Sequence, residues 1–265
     1  NLSSVRYGTV ESIEPEYISF VGNTMFVACQ ENNAIAIIDD ITTAAIGSDF
    51  TLYDLGFETY TADVSNRDDM VNIAFEIKGL RMPDAIAVYT DGGSTYVVTA
   101  DEGDARPDDS DIQRGKDFTA AASGIVYENG TGSPLGTSAL QALLDDNAQL
   151  GRLNMLIDQS TDLSGDLIDV VALGSRGMTL FEYTGSALTK VSHQSFEQFV
   201  ADNDVVTFNA NDGGKIEEVD ARSDDKGPEP ESVAIVETNA KRFALVGAER
   251  QNGLFLVDIT TPASP

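Results

Sequence analysis

The sequence predicts an all-β protein of the β-propeller class, or part of a propeller, on three observations. A Pro-acid signature recurs at the head of short apolar runs, each copy is followed by a turn and a second apolar run, and little of the chain carries helical periodicity. The copies are Glu14-Pro15-Glu16-Tyr17-Ile18-Ser19-Phe20, Met82-Pro83-Asp84-Ala85-Ile86-Ala87-Val88 and Glu229-Pro230-Glu231-Ser232-Val233-Ala234-Ile235. Each reads proline, acid, any residue, isoleucine or valine, small, apolar.

Turn-forming residues come next: Gly22-Asn23, Asp91-Gly92-Gly93 and Thr238-Asn239. Second apolar runs then span residues 24–31, 95–102 and 242–249, so that proline and closing glutamate stand 16, 19 and 19 residues apart. Third strands are expected at residues 34–39 and 254–258. A fourth, partial unit is expected from residues 167–173, the turn Gly174-Ser175-Arg176-Gly177, and residues 178–183. Three or four short antiparallel strands per unit is how a YVTN/WD40-like blade reads in sequence. A β-sandwich gives no reason for one signature to head successive sheets.

Insertions with loops and short helices interrupt the repeat. Residues 104–150 are rich in Gly, Ser, Asp and Pro and end in a helix expected over 138–150, where Leu140, Leu143 and Leu144 share a face. A short amphipathic segment at 196–200 precedes a long loop expected over 202–220. No composition shift marks a boundary, so residues 1–265 read as a single propeller domain or a fragment of one.

Charge narrows the function. Lys and Arg number 16 against 44 Asp and Glu, a formal charge of -28, which repels nucleic acid and favours cations, basic protein surfaces or a salty medium. The single cysteine, Cys29, excludes an internal disulfide framework and reads as a small core residue. The single histidine, His193, excludes multi-histidine metal sites and makes a Ser-His-Asp relay a poor fit. The longest apolar runs are too short to span a bilayer, and any export signal is expected outside this sequence.

In an antiparallel hairpin the start of one strand lies beside the end of the next. Glu16 is therefore expected near Glu31, Asp84 near Asp101 and Glu102, and Glu231 near Glu249. If the units are blades, these pairs gather at one mouth of the channel. Crowded carboxylates disfavour one another's charge unless a cation intervenes, and calcium, or another hard divalent metal, suits several oxygen ligands. The alternative is that the acids cap turns and pair with Arg81, Arg106, Arg222, Lys226 and Arg250. Two loops, at residues 101–106 and 222–231, mix acid, base and glycine. They add Asp104 and Asp224 as candidate metal ligands and Arg106 and Lys226 as candidate phosphate binders. Residues 158–169 resemble a calcium loop, but Leu163 stands where an EF-hand needs glycine.

Several segments, in this order, resemble one family. They are Glu14-Pro15-Glu16-Tyr17-Ile18, Gln30-Glu31-Asn32-Asn33-Ala34, Leu55-Gly56-Phe57, Pro83-Asp84-Ala85-Ile86-Ala87, Thr99-Ala100-Asp101-Glu102-Gly103-Asp104-Ala105-Arg106, Leu150-Gly151-Arg152-Leu153 and residues 222–231. Together they are similar to the bacterial choice-of-anchor I proteins, which resemble the mesenchyme-specific cell-surface glycoprotein of biomineralising animals. The resemblance implies a secreted, periplasmic or surface-anchored propeller, labelled alkaline phosphatase-like, linked in animals to calcium mineral, and continuing beyond both ends of this chain. The leading expectation is a non-catalytic surface propeller that binds calcium for adhesion, scaffolding or mineral contact. Its rival is a metal-dependent phosphoesterase in which Asp101, Glu102, Asp104, Asp224 and Glu231 hold metal while Arg106 or Lys226 binds phosphate.

Overall fold

Alternation of inward and outward side chains, punctuated by turns, folds the described residues into sixteen strands in four separate sheets, none closed on itself. The computed structural model describes residues 2–45, 49–68, 70–211 and 218–265. The first sheet is an antiparallel meander of β1 (Ile18–Val21), β2 (Thr24–Cys29), β3 (Ala34–Ile38) and β4 (Thr51–Asp54). β5 (Phe57–Ala62) and β6 (Phe75–Leu80) begin the second sheet, and β7 (Ala85–Asp91) and β8 (Ser94–Asp101) begin the third.

The chain then returns to the second sheet, adding β9 (Ile112–Arg114), β10 (Asn154–Leu156) and β11 (Val171–Leu173), with β11 parallel to β6. Only afterwards does β12 (Gly177–Tyr183) pair with β8, and β13 (Leu188–Ser195) completes the third sheet in the order β13-β12-β8-β7. The fourth sheet is β14 (Pro230–Glu237), β15 (Arg242–Ala248) and β16 (Gly253–Asp258).

All three signature copies form the expected hairpins, β1-β2, β7-β8 and β14-β15. Between Asp91 and Ser94 the turn is Gly92-Gly93 with φ of 57° and 91°, the left-handed pair a two-residue hairpin requires. The expected fourth unit is corrected: β11 and β12 belong to different sheets, and residues 174–176 carry the chain from one to the other. There a Cβ on Gly174 (φ 68°) would stand 2.0 Å from the Glu102 carbonyl oxygen, so only glycine allows this crossing. The expected helix is shorter, α1 (Thr137–Leu144), because the chain turns at Asp145 and resumes as a single 3-10 turn at Leu150–Arg152. Within the expected long loop, α3 (Glu197–Asn203) takes its first residues and a 3-10 turn forms at Val205–Thr207, while residues 212–217 lie outside the described residues. A further short helix, α2 (Ile157–Ser160), follows β10.

Both faces of the third sheet are covered, which follows from its two-residue period. Ala85, Tyr89, Val98, Ala100 and Met178 face Ala244 and Val246 of the fourth sheet, whereas Ile86, Val97 and Phe181 face Phe26, Ala28 and Ile35 of the first. β7 thereby lies against both β1 and β14. A separate core sits under the second sheet, where Leu140 and Leu144 of α1 pack with Tyr60, Ile77 and Met155.

One buried cation ties these layers together. Arg176, with no exposed surface, donates to the Glu197 carboxylate of α3 (2.5 Å) and to the backbone carbonyls of Asp63 (2.7 Å), Ser223 (2.8 Å) and Asp225 (2.9 Å). Gly227 closes over it at φ 66°, where a Cβ would come within 2.9 Å of the Arg176 Cδ. Arg176→Met leaves Glu197 buried without a counter-charge and is expected to lose about 3–5 kcal/mol in urea unfolding. Gly227→Ala is expected to lose less, through the left-handed φ that alanine disfavours and the close contact with the Arg176 stem, because it removes no charge.

Candidate functional site

The signature acids enter β1, β7 and β14, and the closing acids leave β2, β8 and β15. Backbone bonds hold each head to its tail: Glu16 N–H to the Ala28 carbonyl (2.9 Å), Asp84 N–H to that of Ala100 (3.1 Å) and Glu249 N–H to that of Glu229 (2.9 Å). Because β7 lies against β1 and β14, the pairs come together at one end of these strands. Burial, reinforced by Glu14 and Glu16, pushes the Glu31 carboxyl up to about 7. Burial and Glu16 push Asp84 up to about 6. Burial, then Glu102 and Glu249, push Glu231 up to about 7. Glu31 is 6% exposed, and its Oε2 has no hydrogen-bond partner.

The centre of this mouth holds a cation of the protein's own. Lys226, 9% exposed, places its Nζ 2.6 Å from Glu102 Oε1, 3.2 Å from Glu229 Oε2 and 3.5 Å from Asp104 Oδ1. Burial favours the neutral amine, but the three carboxylates outweigh it and hold the ammonium charged well above its usual range. Glu102 also accepts from Gln30 Nε2 (2.9 Å). Glu229, wholly buried, is gripped in addition by Arg222 (2.7 Å) and faced by Arg250 (3.4 Å).

The remaining predicted residues divide. Asp101 is fully buried in a cage of hydroxyls from Thr99, Ser175 and Thr179, and burial lifts it to about 6 against the pull of Arg81. His193 Nδ1 stands 3.2 Å from Thr179 Oγ1, and burial lowers the imidazole to about 4, so it is neutral. A hydrolytic relay places histidine between nucleophile and carboxylate, whereas these hydroxyls donate straight to the carboxylate. Asp224 is clamped by Arg114 (2.8 Å) and Arg152 (2.7 Å). Arg106 lies over the Tyr7 ring (4.8 Å to the centroid) and near Glu14 (3.6 Å), and Glu249 pairs with Arg250 (3.1 Å). The acids of residues 158–169 are engaged separately, Asp158 by Arg6 (2.7 Å) and Asp169 by Lys78.

Three predicted acids, Glu31, Asp84 and Glu231, thus share one negative field with no described ion pair of their own, Glu16 acting on the first two and Asp84 on the third, while Glu102 and Asp104 flank Lys226. Sequence reasoning missed Glu229 as a core member of the site. Its signal was available: it precedes the signature proline, where its backbone, like that of Met82 in the preceding copy, takes a left-handed φ (51° and 42°).

An acidic all-β domain with a partly neutralised carboxylate mouth is the class these features define. The choice-of-anchor I domain family matches residues 3–262, and the chain belongs to that family. No curated protein and no solved structure matches it.

Two outcomes test the electrostatics. Lys226→Met strips Glu102 and Glu229 of their shared counter-ion and is expected to destabilise the fold by about 3–5 kcal/mol in urea at pH 8. Glu31 acts with the opposite sign. A carboxyl raised from 4.5 to about 7 contributes stability fully present below its unfolded value and lost as pH rises through about 7. Glu31→Gln is therefore expected to match the parent's melting temperature at pH 4 and exceed it at pH 8, by about 1 kcal/mol or more in stability.

Proposed function

We propose that this chain is a non-catalytic domain of a cell-surface or extracellular protein, whose carboxylate mouth recruits a divalent cation, calcium, for adhesive, scaffolding or mineral contact. Membership of a choice-of-anchor family supports the surface location. Among the described residues no helix is long and apolar enough to cross a membrane. A propeller organisation is part of the proposal: β1, β7 and β14 lie side by side, as inner strands of neighbouring blades do, and each carries the same signature.

The observation that carries the reading is the shared negative field at this end, where Glu16 acts on Glu31 and Asp84, and Glu102, Glu249 and Asp84 act on Glu231, with a buried, unpartnered Glu31 oxygen among them. A cation arriving there relieves repulsion that Lys226, already saturated, leaves in place. No specific observation favours the phosphoesterase alternative. The Lys226 ammonium is spent on carboxylates, and Arg106 is stacked on Tyr7.

The test is the melting temperature in chelator and across millimolar calcium at constant ionic strength, which holds general screening fixed. A saturable rise is expected, reduced in a Glu16→Gln, Glu31→Gln, Glu231→Gln variant. A rise of equal size in that variant would overturn the assignment to the mouth.

A further inference from the structure

Away from the mouth, a second group of acids forms where β5 ends. Asp63 follows β5, Asp68 lies in the turn after it, and Asp220 arrives from the far end of the chain on the segment leading to the Arg176-binding loop. One carboxylate oxygen from each lies within 4.8 Å of the others. Among the described residues no other His, Cys, Asp or Glu set does this.

Crowding alone would be unremarkable on so acidic a chain, but two of these groups are withdrawn from water and the third, Asp68, is half-buried. Asp63 is 1% exposed and Asp220 7% exposed. The Oδ1 of Asp220 and both carboxylate oxygens of Asp68 are buried without a hydrogen-bond partner. Asp63 is aimed by backbone donors, Ser65 N–H (3.3 Å) on one oxygen and Asn72 N–H (2.6 Å) on the other. The nearest buried cation, Arg176, binds the Asp63 backbone carbonyl and spends its charge on Glu197. Burial, then Glu197 and Asp68, push Asp63 up to about 6, and burial, then Asp63 and Asp68, push Asp220 up to about 8. Three carboxylates held together, two of them buried and none with a described counter-ion, favour a proton or a cation among them.

We propose that Asp63, Asp68 and Asp220 form a binding site for one divalent cation of the hard, oxygen-seeking class represented by calcium. Ligand oxygens on opposite sides of calcium stand about 4.6–5.2 Å apart, given bonds of about 2.3–2.6 Å, so the observed span admits the ion between them. Bound there, the ion joins the β5 end to the segment entering the 220–229 loop, which carries Lys226 and Glu229. It stabilises the same loop that Arg176 grips from its other side. This site shares no residue with the mouth and stands or falls independently of it.

Isothermal titration of the chelator-treated protein with calcium, magnesium and manganese, each alone, tests this. The parent is expected to bind one equivalent at this site, beyond any taken by the mouth, that Asp68→Asn, Asp220→Asn removes, while the mouth variant Glu16→Gln, Glu31→Gln, Glu231→Gln retains it. Protons are expected to leave on binding, read as a dependence of the heat on the buffer's ionisation enthalpy. Asn suits the left-handed backbone at residue 220 (φ 71°), and removing two repelling charges should raise the metal-free melting temperature, which reports that the variant folds. Should that variant misfold, Asp68→Asn alone, at a partly exposed position, gives the same reading. Binding of equal stoichiometry and affinity in the folded Asp68→Asn variant overturns the proposal, as does absence of binding for all three metals.

Discussion

The guanidinium of Arg176 joins parts of the chain that no backbone ladder connects. Burying a cation completely is unfavourable unless its charge finds a partner and most of its donors find acceptors. Glu197 supplies the charge, and the carbonyls of Asp63, Ser223 and Asp225 take further donors. Asn209 adds a bond to Glu197 (2.8 Å) and one to Ser223 (3.0 Å). Second sheet, α3 and the 220–229 segment are thereby held to one point, and the irregular segment needs this most because it has few ladder bonds of its own. Lys226 and Glu229 reach the mouth from that segment, so the charge pattern at the mouth depends on the arginine beneath it.

Two treatments of negative charge coexist in the molecule. Where a basic side chain can be spared, it is buried among acids: Lys226 among Glu102, Asp104 and Glu229, Arg114 and Arg152 on Asp224, Arg6 on Asp111 and Asp158. Where none is available, carboxyls stay crowded and are driven towards their protonated form, as at Glu31, Glu231, Asp63 and Asp220. With 16 basic residues against 44 acidic ones, the second condition is unavoidable somewhere. Its concentration at two places, rather than spread over the surface, is what gives those places chemical interest.

The hairpins, and the approach of Glu16 to Glu31 and of Glu231 to Glu249, were legible in the sequence because both follow from local rules. Proline, acid and alternating apolar residues specify a strand head, and antiparallel pairing places that head beside the next strand's tail. The destination of β11 and β12 was not legible. Residues 167–183 carry the composition of a hairpin, and only the long-range pairing of β11 with β6 and β12 with β8 divides them. Charge partners were legible as types rather than as contacts: Lys226 and Arg106 stood out as bases in acidic loops, but which acids reach them depends on tertiary packing. Asp63, Asp68 and Asp220 had no sequence signal at all, since two lie in an unremarkable turn and the third is more than a hundred residues away.

Sheets two and three are interleaved along the chain: β5 and β6, then β7 and β8, then β9 to β11 for the second, then β12 and β13 for the third. Neither can be finished before the other has been started, and each encloses a stretch of chain belonging to its neighbour. A solenoid or simple repeat array can fray from one end, unit by unit. This arrangement cannot shed its middle sheets one at a time, so a protease nick in the exposed 130–134 stretch would yield two polypeptides still clasped to each other through shared ladders. Such a particle keeps its shape after its backbone has been cut.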